Sequence, residues 1–254
     1  MNAPIWEGVY RTFSEVPAKG PGFRGGRWRE SCLRKSLDLR QRANGAKTIS
    51  EIPSYRGSLL PVLAGLIYAG FGRVRIMDFG GGLGFNYYPV RYGLPQWDHL
   101  EFHVVEVEEV CRVGKDFFFG EPKIFFHPSL PEATLGFDIV CMESSLHYME
   151  DWKGLLSRLC AYGPRYVLLS DLPAGDIPTY ATAQNYYGSK IPVWFFNIED
   201  ILTEMDRNGF KLIFKSACIA AILGREQEMP QENFEEDYRV GYTCNLVFLK
   251  EGLE

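Results

Sequence analysis

From residue 74 onward, short runs rich in apolar and β-branched residues alternate with stretches of helical periodicity. The pattern predicts strands at 74–79, 102–107, 123–126, 137–142 and 165–170, with helices at about 83–92, 108–117 and 151–161. Strands separated by helices imply right-handed crossovers and a parallel sheet covered on both faces. The last part changes rhythm: helix 198–208, strand 210–218, an acidic stretch at 225–237, then strand 241–249. No helix separates the last two strands, which predicts an antiparallel pair closing the sheet.

Ahead of the alternating region, residues 1–27 are rich in Gly, Pro and aromatics and read as an irregular arm. Trp28 to Arg42 has helical periodicity ending at Asn44-Gly45, and Ser54 to Ala69 reads as an apolar helix kinked or restarted at Pro61. After the fifth strand, residues 171–197 form a 27-residue stretch of turn formers and aromatics. Loops that long in compact domains are functional or disordered, and six large aromatics here argue for order.

With 254 residues and 46% apolar content, the chain can bury one full α/β core. The expected division is an arm and helix at 1–50, acting as a lid or acceptor-side extension, and a principal domain at 51–254. The net charge of −5 argues against a nucleic-acid footprint over the whole surface. Residues 1–50 nonetheless hold ten basic and four acidic residues, net +6, against −11 for the rest; a solvated helix face or an anionic substrate would each account for that. Six scattered cysteines show neither CxxC pairing nor metal spacing and read as reduced thiols. The apolar stretch Leu59–Phe71 is too short for a bilayer and contains Pro61, so a soluble, cytoplasmic protein is expected.

The candidate chemistry sits at the first strand of the alternating region. Residues 78–84 read DFGGGLG, and Glu106 ends the next strand in FHVVEVEE. Glycines let a turn approach a ligand, and a carboxylate on the second strand accepts hydrogen bonds from ribose hydroxyls. A dinucleotide fingerprint counted from Gly80 needs glycine at 85, where Phe85 stands. The glycines recur instead at 80, 82 and 84, two residues after Asp78. Asp78 also suits a plain turn or helix-cap role.

This arrangement resembles motif I of the class I S-adenosylmethionine-dependent methyltransferases. Further stretches resemble a bacterial family of methyltransferases associated with surface-polysaccharide biosynthesis: DFGGGLGFNYYPVRY (78–92), HVVEVEEVCRVGKDFF (103–118), SSLHYMEDW (144–152), QNYYGSKIPVWFFNIEDIL (184–202) and the Trp-Glu-Gly-x-Tyr opening at Trp6–Tyr10. The likeness runs from Trp6 to about Ser216. His147 departs from it, standing in place of a glutamine, and Ser170-Asp171 stands in place of Asp-Arg.

The resemblance implies a Rossmann-like fold with a seven-stranded, mostly parallel sheet, and S-adenosyl-L-methionine as cofactor. It assigns Gly80, Gly82 and Gly84 to the cofactor's amino-acid part, Asp78 to its ammonium, and Glu106 to the ribose diol. Ser129 would flank adenine, and Glu143 and Ser144 would face the methionine part. On the acceptor side, His147 is the first candidate base and Asp171 the second, and His147 fits stacking on the cofactor or simple packing equally well. Tyr88, Arg91, Gln184, Tyr186 and Lys190 are candidate acceptor contacts, the two cations suiting an anionic acceptor. The implied partner is a small molecule or glycan precursor, methylated on oxygen. No metal, nucleic-acid partner or membrane span is expected, and a homodimer is left open. The competing functions are an NAD(P)-dependent oxidoreductase and a non-catalytic S-adenosylmethionine-binding partner in a biosynthetic assembly.

Overall fold

In the computed structural model, which describes residues 4–45, 59–94, 96–219, 221–222, 225–226 and 228–253, the elements run as follows. β1 (Trp6–Tyr10) and α1 (Gly26–Gly45) form the arm, then come α2 (Leu60–Phe71), β2 (Val74–Phe79), α3 (Tyr87–Gly93), β3 (Leu100–Val105), α4 (Glu108–Phe117) and β4 (Ile124–His127). β5 (Ile139–Glu143), α5 (Trp152–Cys160), β6 (Tyr166–Leu172), β7 (Ala174–Gly175), β8 (Tyr180–Tyr186) and β9 (Ser189–Asn197) follow. The chain closes with α6 (Ile198–Arg207), β10 (Phe210–Cys218), β11 (Ala221–Ile222), β12 (Arg225–Glu226) and β13 (Thr243–Lys250). The start of the second helix at Ser54 and the boundary at 50/51 lie outside the described residues. Pro61 stands in the first turn of α2, where a missing N–H costs nothing.

Seven strands form the main sheet in the order β10-β13-β6-β5-β2-β3-β4. β13 alone is antiparallel to its neighbours, β6 and β10. Alternate strand residues feed two cores. Ile76, Phe102, Ile139 and Leu168 pack beneath α2, α3 and α4, while Met77, Val140, Met142 and Leu169 pack beneath α5 and α6. Two-sided burial explains why these strands read as nearly continuous apolar runs. The strand order reverses at β2 and β5, so a crevice opens at their carboxyl ends.

Above that crevice, the expected loop at 171–197 is instead the end of β6 followed by strands of a second, smaller sheet. β8 and β9 pair antiparallel around Tyr187-Gly188, and β1 from the arm adds to β8, with β7 beside β9. Both turn residues have positive φ, 49° and 80°, which a two-residue hairpin turn of the right twist requires. Part of the arm is therefore ordered as a strand rather than irregular. Its Trp6 packs edge-on against Phe195 in a separate small core with Tyr180, Val193 and Phe234. No helix among the described residues is long and apolar enough to cross a membrane.

Candidate active site

Two cavities meet at the carboxyl ends of the strands. The larger, about 640 Å³, runs from the glycine turn past Glu106 to Pro128, Ser129 and Leu130. The smaller, about 270 Å³, lies under the second sheet between Trp6, His147, Gln184 and Thr243. Ser144, Tyr148, Asp171 and Tyr186 line both and form the wall between them.

The glycine turn is required by the backbone and by its neighbours. Gly80, Gly82 and Gly84 have φ of 72°, 57° and 68°, a region that side chains rarely adopt. A Cβ on Gly80 would also stand 2.5 Å from Cβ of Ser145, whose hydroxyl donates to the Phe79 carbonyl at 2.7 Å. Gly80, Gly81 and Gly82 line the larger cavity. Gly84 does not; it packs against Ile124 and Phe118.

Glu106 sits where the sequence puts it, at the tip of β3 facing the larger cavity. Its Oε1 accepts from Gly82 N at 3.2 Å and its Oε2 from Val107 N at 2.9 Å. Burial pushes its carboxyl above the usual range, against the pull of those two amides. Both oxygens keep a lone pair for a further donor.

Asp78 lies beneath the turn, fully buried, and does not line the cavity. Oδ2 accepts from Asn86 Nδ2 at 3.1 Å, while Oδ1 has no partner. Burial first, then the charge of Glu143, raise its pKa to about 7. A cation near the Asp78 carboxyl would favour its charged form. Glu143 and Ser129 line the larger cavity. The fit to a nucleoside with an ammonium group is good: a carboxylate for a diol, an apolar slot at Val107, Pro128 and Leu130, and the unpartnered Oδ1 of Asp78 beneath the glycine turn.

The wall between the cavities is built from strain and a bulge. Ser144 at the end of β5 and Asp171 near the end of β6 have φ of 54° and 50°. Between Leu169 and Leu172 of β6, paired with Leu246 and Cys244 of β13, β6 carries one extra residue. Such a bulge re-aims a side chain. Asn245 stands opposite and holds it: its Oδ1 accepts from Ser170 Oγ at 2.6 Å and from Asp171 N at 3.2 Å. The Asp171 carboxylate, turned into the wall, accepts from Ser144 Oγ and from Thr243 Oγ1 at 2.6 Å. Burial raises its pKa and the two hydroxyls oppose the rise. Asn245→Leu should leave the Ser170 hydroxyl and the Asp171 amide unpaired and destabilise the fold by roughly 2–4 kcal/mol, read by urea denaturation.

His147 lines the smaller cavity, buried, with Nδ1 unpartnered. Burial lowers its pKa to about 3, so the ring is neutral at physiological pH and a weak base. Gln184 Oε1 accepts from Tyr148 Oη at 2.8 Å, and both face the cavity. Three expected acceptor contacts line neither cavity. Tyr88 is buried in the core against Phe118, Arg91 is paired with Glu121 at 2.6 Å and stacked on Trp97, and Lys190 is paired with Glu7 at 2.6 Å. In their place stand residues not singled out from the sequence. Phe23, Trp28 and Lys35 of the arm face the larger cavity; Tyr148 faces both, and Thr243 the smaller. Phe23 packs on Tyr148 with ring centroids 4.7 Å apart.

No protein-family model matches the chain, and no curated protein does. Solved structures do. An S-adenosylmethionine dependent methyltransferase from Mesorhizobium loti superposes with a TM-score of 0.51 at 16% identity, over 77% of this chain and 99% of that one. A proposed S-adenosylmethionine dependent methyltransferase from Listeria monocytogenes gives 0.50 at 11% identity, over 70% and 92%. These likenesses establish the architecture: the chain has the Rossmann-like class I methyltransferase fold, with the antiparallel final strand set inside the sheet.

Proposed function

We propose that the protein is an S-adenosylmethionine-dependent methyltransferase that methylates a small molecule on oxygen. The observation that carries this reading is the shared wall: a cleft with the glycine turn and Glu106 adjoins a second cavity covered by the smaller sheet, and Asp171 faces both. Gly80 to Gly82, Glu106, Glu143 and the Pro128–Leu130 slot would hold the cofactor. S-adenosylmethionine supplies a methyl group on a cationic sulfur, which becomes a neutral thioether when the methyl leaves. The protein then has to align the acceptor, exclude water and take one proton.

The second sheet and the arm cover the site, Tyr148 and Tyr186 present aromatic faces suited to a cation, and Asp171 is the base. A covered second cavity favours catalysis over mere cofactor binding. The resemblance of residues 78–92 and 184–202 supports a glycan precursor as acceptor and a place in surface-polysaccharide biosynthesis.

Titration calorimetry with S-adenosylhomocysteine tests the reading; a folded protein that binds neither it nor S-adenosylmethionine overturns it. Glu106→Ala should weaken binding by roughly 10–100-fold, the loss of charge-assisted bonds to a diol. Unchanged affinity would move the ribose site elsewhere.

A further inference from the structure

The charge of the smaller cavity narrows the acceptor, given the methyl-transfer reading above. Among the described residues lining it, Asp171 is the single charged side chain, and no lysine or arginine is present. The carboxylate's protein partners are two hydroxyls, Ser144 and Thr243, not a cation. Arg91 and Lys190, which the sequence suggested for an anionic acceptor, are spent on Glu121 and Glu7. His147 stays neutral there because burial disfavours its charged form.

We infer that the acceptor is an uncharged, hydroxyl-bearing small molecule of about one ring, methylated on the hydroxyl that meets Asp171. A phosphate or carboxylate would enter a low-dielectric space beside a negative group with no lysine or arginine in the described lining to offset it. An amine fares no better, because a carboxylate favours its protonated form and ties up the lone pair that must attack. A hydroxyl donates its hydrogen to Asp171 and keeps its lone pairs. As the acceptor oxygen bonds the methyl carbon and the carbon–sulfur bond breaks, the hydroxyl proton passes to the carboxylate, so the donor's positive charge and the carboxylate's negative charge are lost together. The volume of about 270 Å³ is at the small end of ligand pockets. Trp6 and Phe195 offer an apolar face, and Gln184 and Asn185 offer hydrogen bonds.

The test uses the full chain with S-adenosylmethionine deuterated in the methyl group and a small-molecule extract of the source cells. After reaction the extract is divided on anion- and cation-exchange resins at neutral pH. The expected result is label in the fraction that neither resin retains. Label held by either resin in any molecule other than unreacted S-adenosylmethionine overturns the inference and leaves methyl transfer standing. Protein that binds S-adenosylhomocysteine yet labels no fraction overturns the enzymatic reading, and the inference with it.

Met229 lines the smaller cavity and not the larger. Met229→Trp should lower transfer by about 10²-fold through acceptor misplacement, with S-adenosylhomocysteine affinity unchanged as the control for folding. Val193→Phe is the second filling variant. Transfer at the wild-type rate in both would place the acceptor outside this cavity and overturn the inference.

Discussion

Asp171→Asn should lower kcat by about 10²–10⁴-fold, the usual contribution of a positioned base, while S-adenosylhomocysteine binds as it does to the wild type. The substitution is nearly isosteric and the bulge that aims it survives, because Asn245 holds the backbone amide of residue 171 and not its side chain. The local hydrogen bonds can also re-form. Thr243 Oγ1 lies 3.1 Å from the Cys218 carbonyl as well as 2.6 Å from Asp171, so it can donate to the former and accept from the new amide. What is lost is the proton acceptor. The pH profile gives a second readout that a structural role would not move. Burial holds the Asp171 carboxyl above its usual range, so activity should fall as pH drops through that raised value. Thr243→Val removes one of the two bonds that pull the value down, and should move the acidic limb to higher pH. A kcat within a few-fold of wild type for Asp171→Asn would leave the reaction without a base at this wall.

The main sheet was legible because its physics is local. Val74 to Phe79, Ile139 to Glu143 and Tyr166 to Leu172 are short apolar runs buried on both faces, and the helices between them show their own period. The glycine turn and Glu106 were legible for the same reason, since each stands at a strand end fixed by that alternation. The second sheet was not. β8 reads YATAQNY, with its first four residues buried without alternation, and its turn is Tyr-Gly in place of the common Asn-Gly. β1 is five residues long and meets its partner some 175 positions away, a pairing that no local window reports.

Side-chain destinations were harder still. Tyr88 and Arg91 lie on the short helix after the glycine turn, and its packing on α2 and Phe118 decides that they turn inward rather than toward a ligand. In the sequence Asp171 reads as the tip of a strand; that it points into the wall depends on an extra residue in β6 and on Asn245 more than seventy positions later. Thr243 carried no signal at all, because its role exists only where β13 returns beside β6.

The pH dependence of stability should split in opposite directions when the two kinds of buried titratable group are removed singly. Asp78 has its folded pKa raised from the ordinary 3.8 to about 7. Folding thus favours the protonated acid, and the stability this supplies is complete below about pH 4 and lost as pH rises toward 7. His147 is the reverse case. Its folded value is lowered from 6.5 to about 3, so its contribution is complete above about pH 6.5 and lost as pH falls toward 3. His103, held at about 4 by burial and by the neighbouring His127, adds to the second slope. In the wild type the slopes oppose and the curve between pH 4 and 7 is flattened. Asp78→Asn keeps shape and a bond to Asn86, and relative to wild type it should gain stability across that window. The gain has an upper end of roughly 4 kcal/mol at pH 7, taking about 1.4 kcal/mol per tenfold change in proton affinity. His147→Gln should gain relative to wild type in the other direction, as pH falls from 6.5. Urea denaturation of the three proteins at pH 4, 5, 6 and 7 decides it. Parallel curves would mean that Asp78 takes up its proton in the folded protein as it does in the unfolded chain.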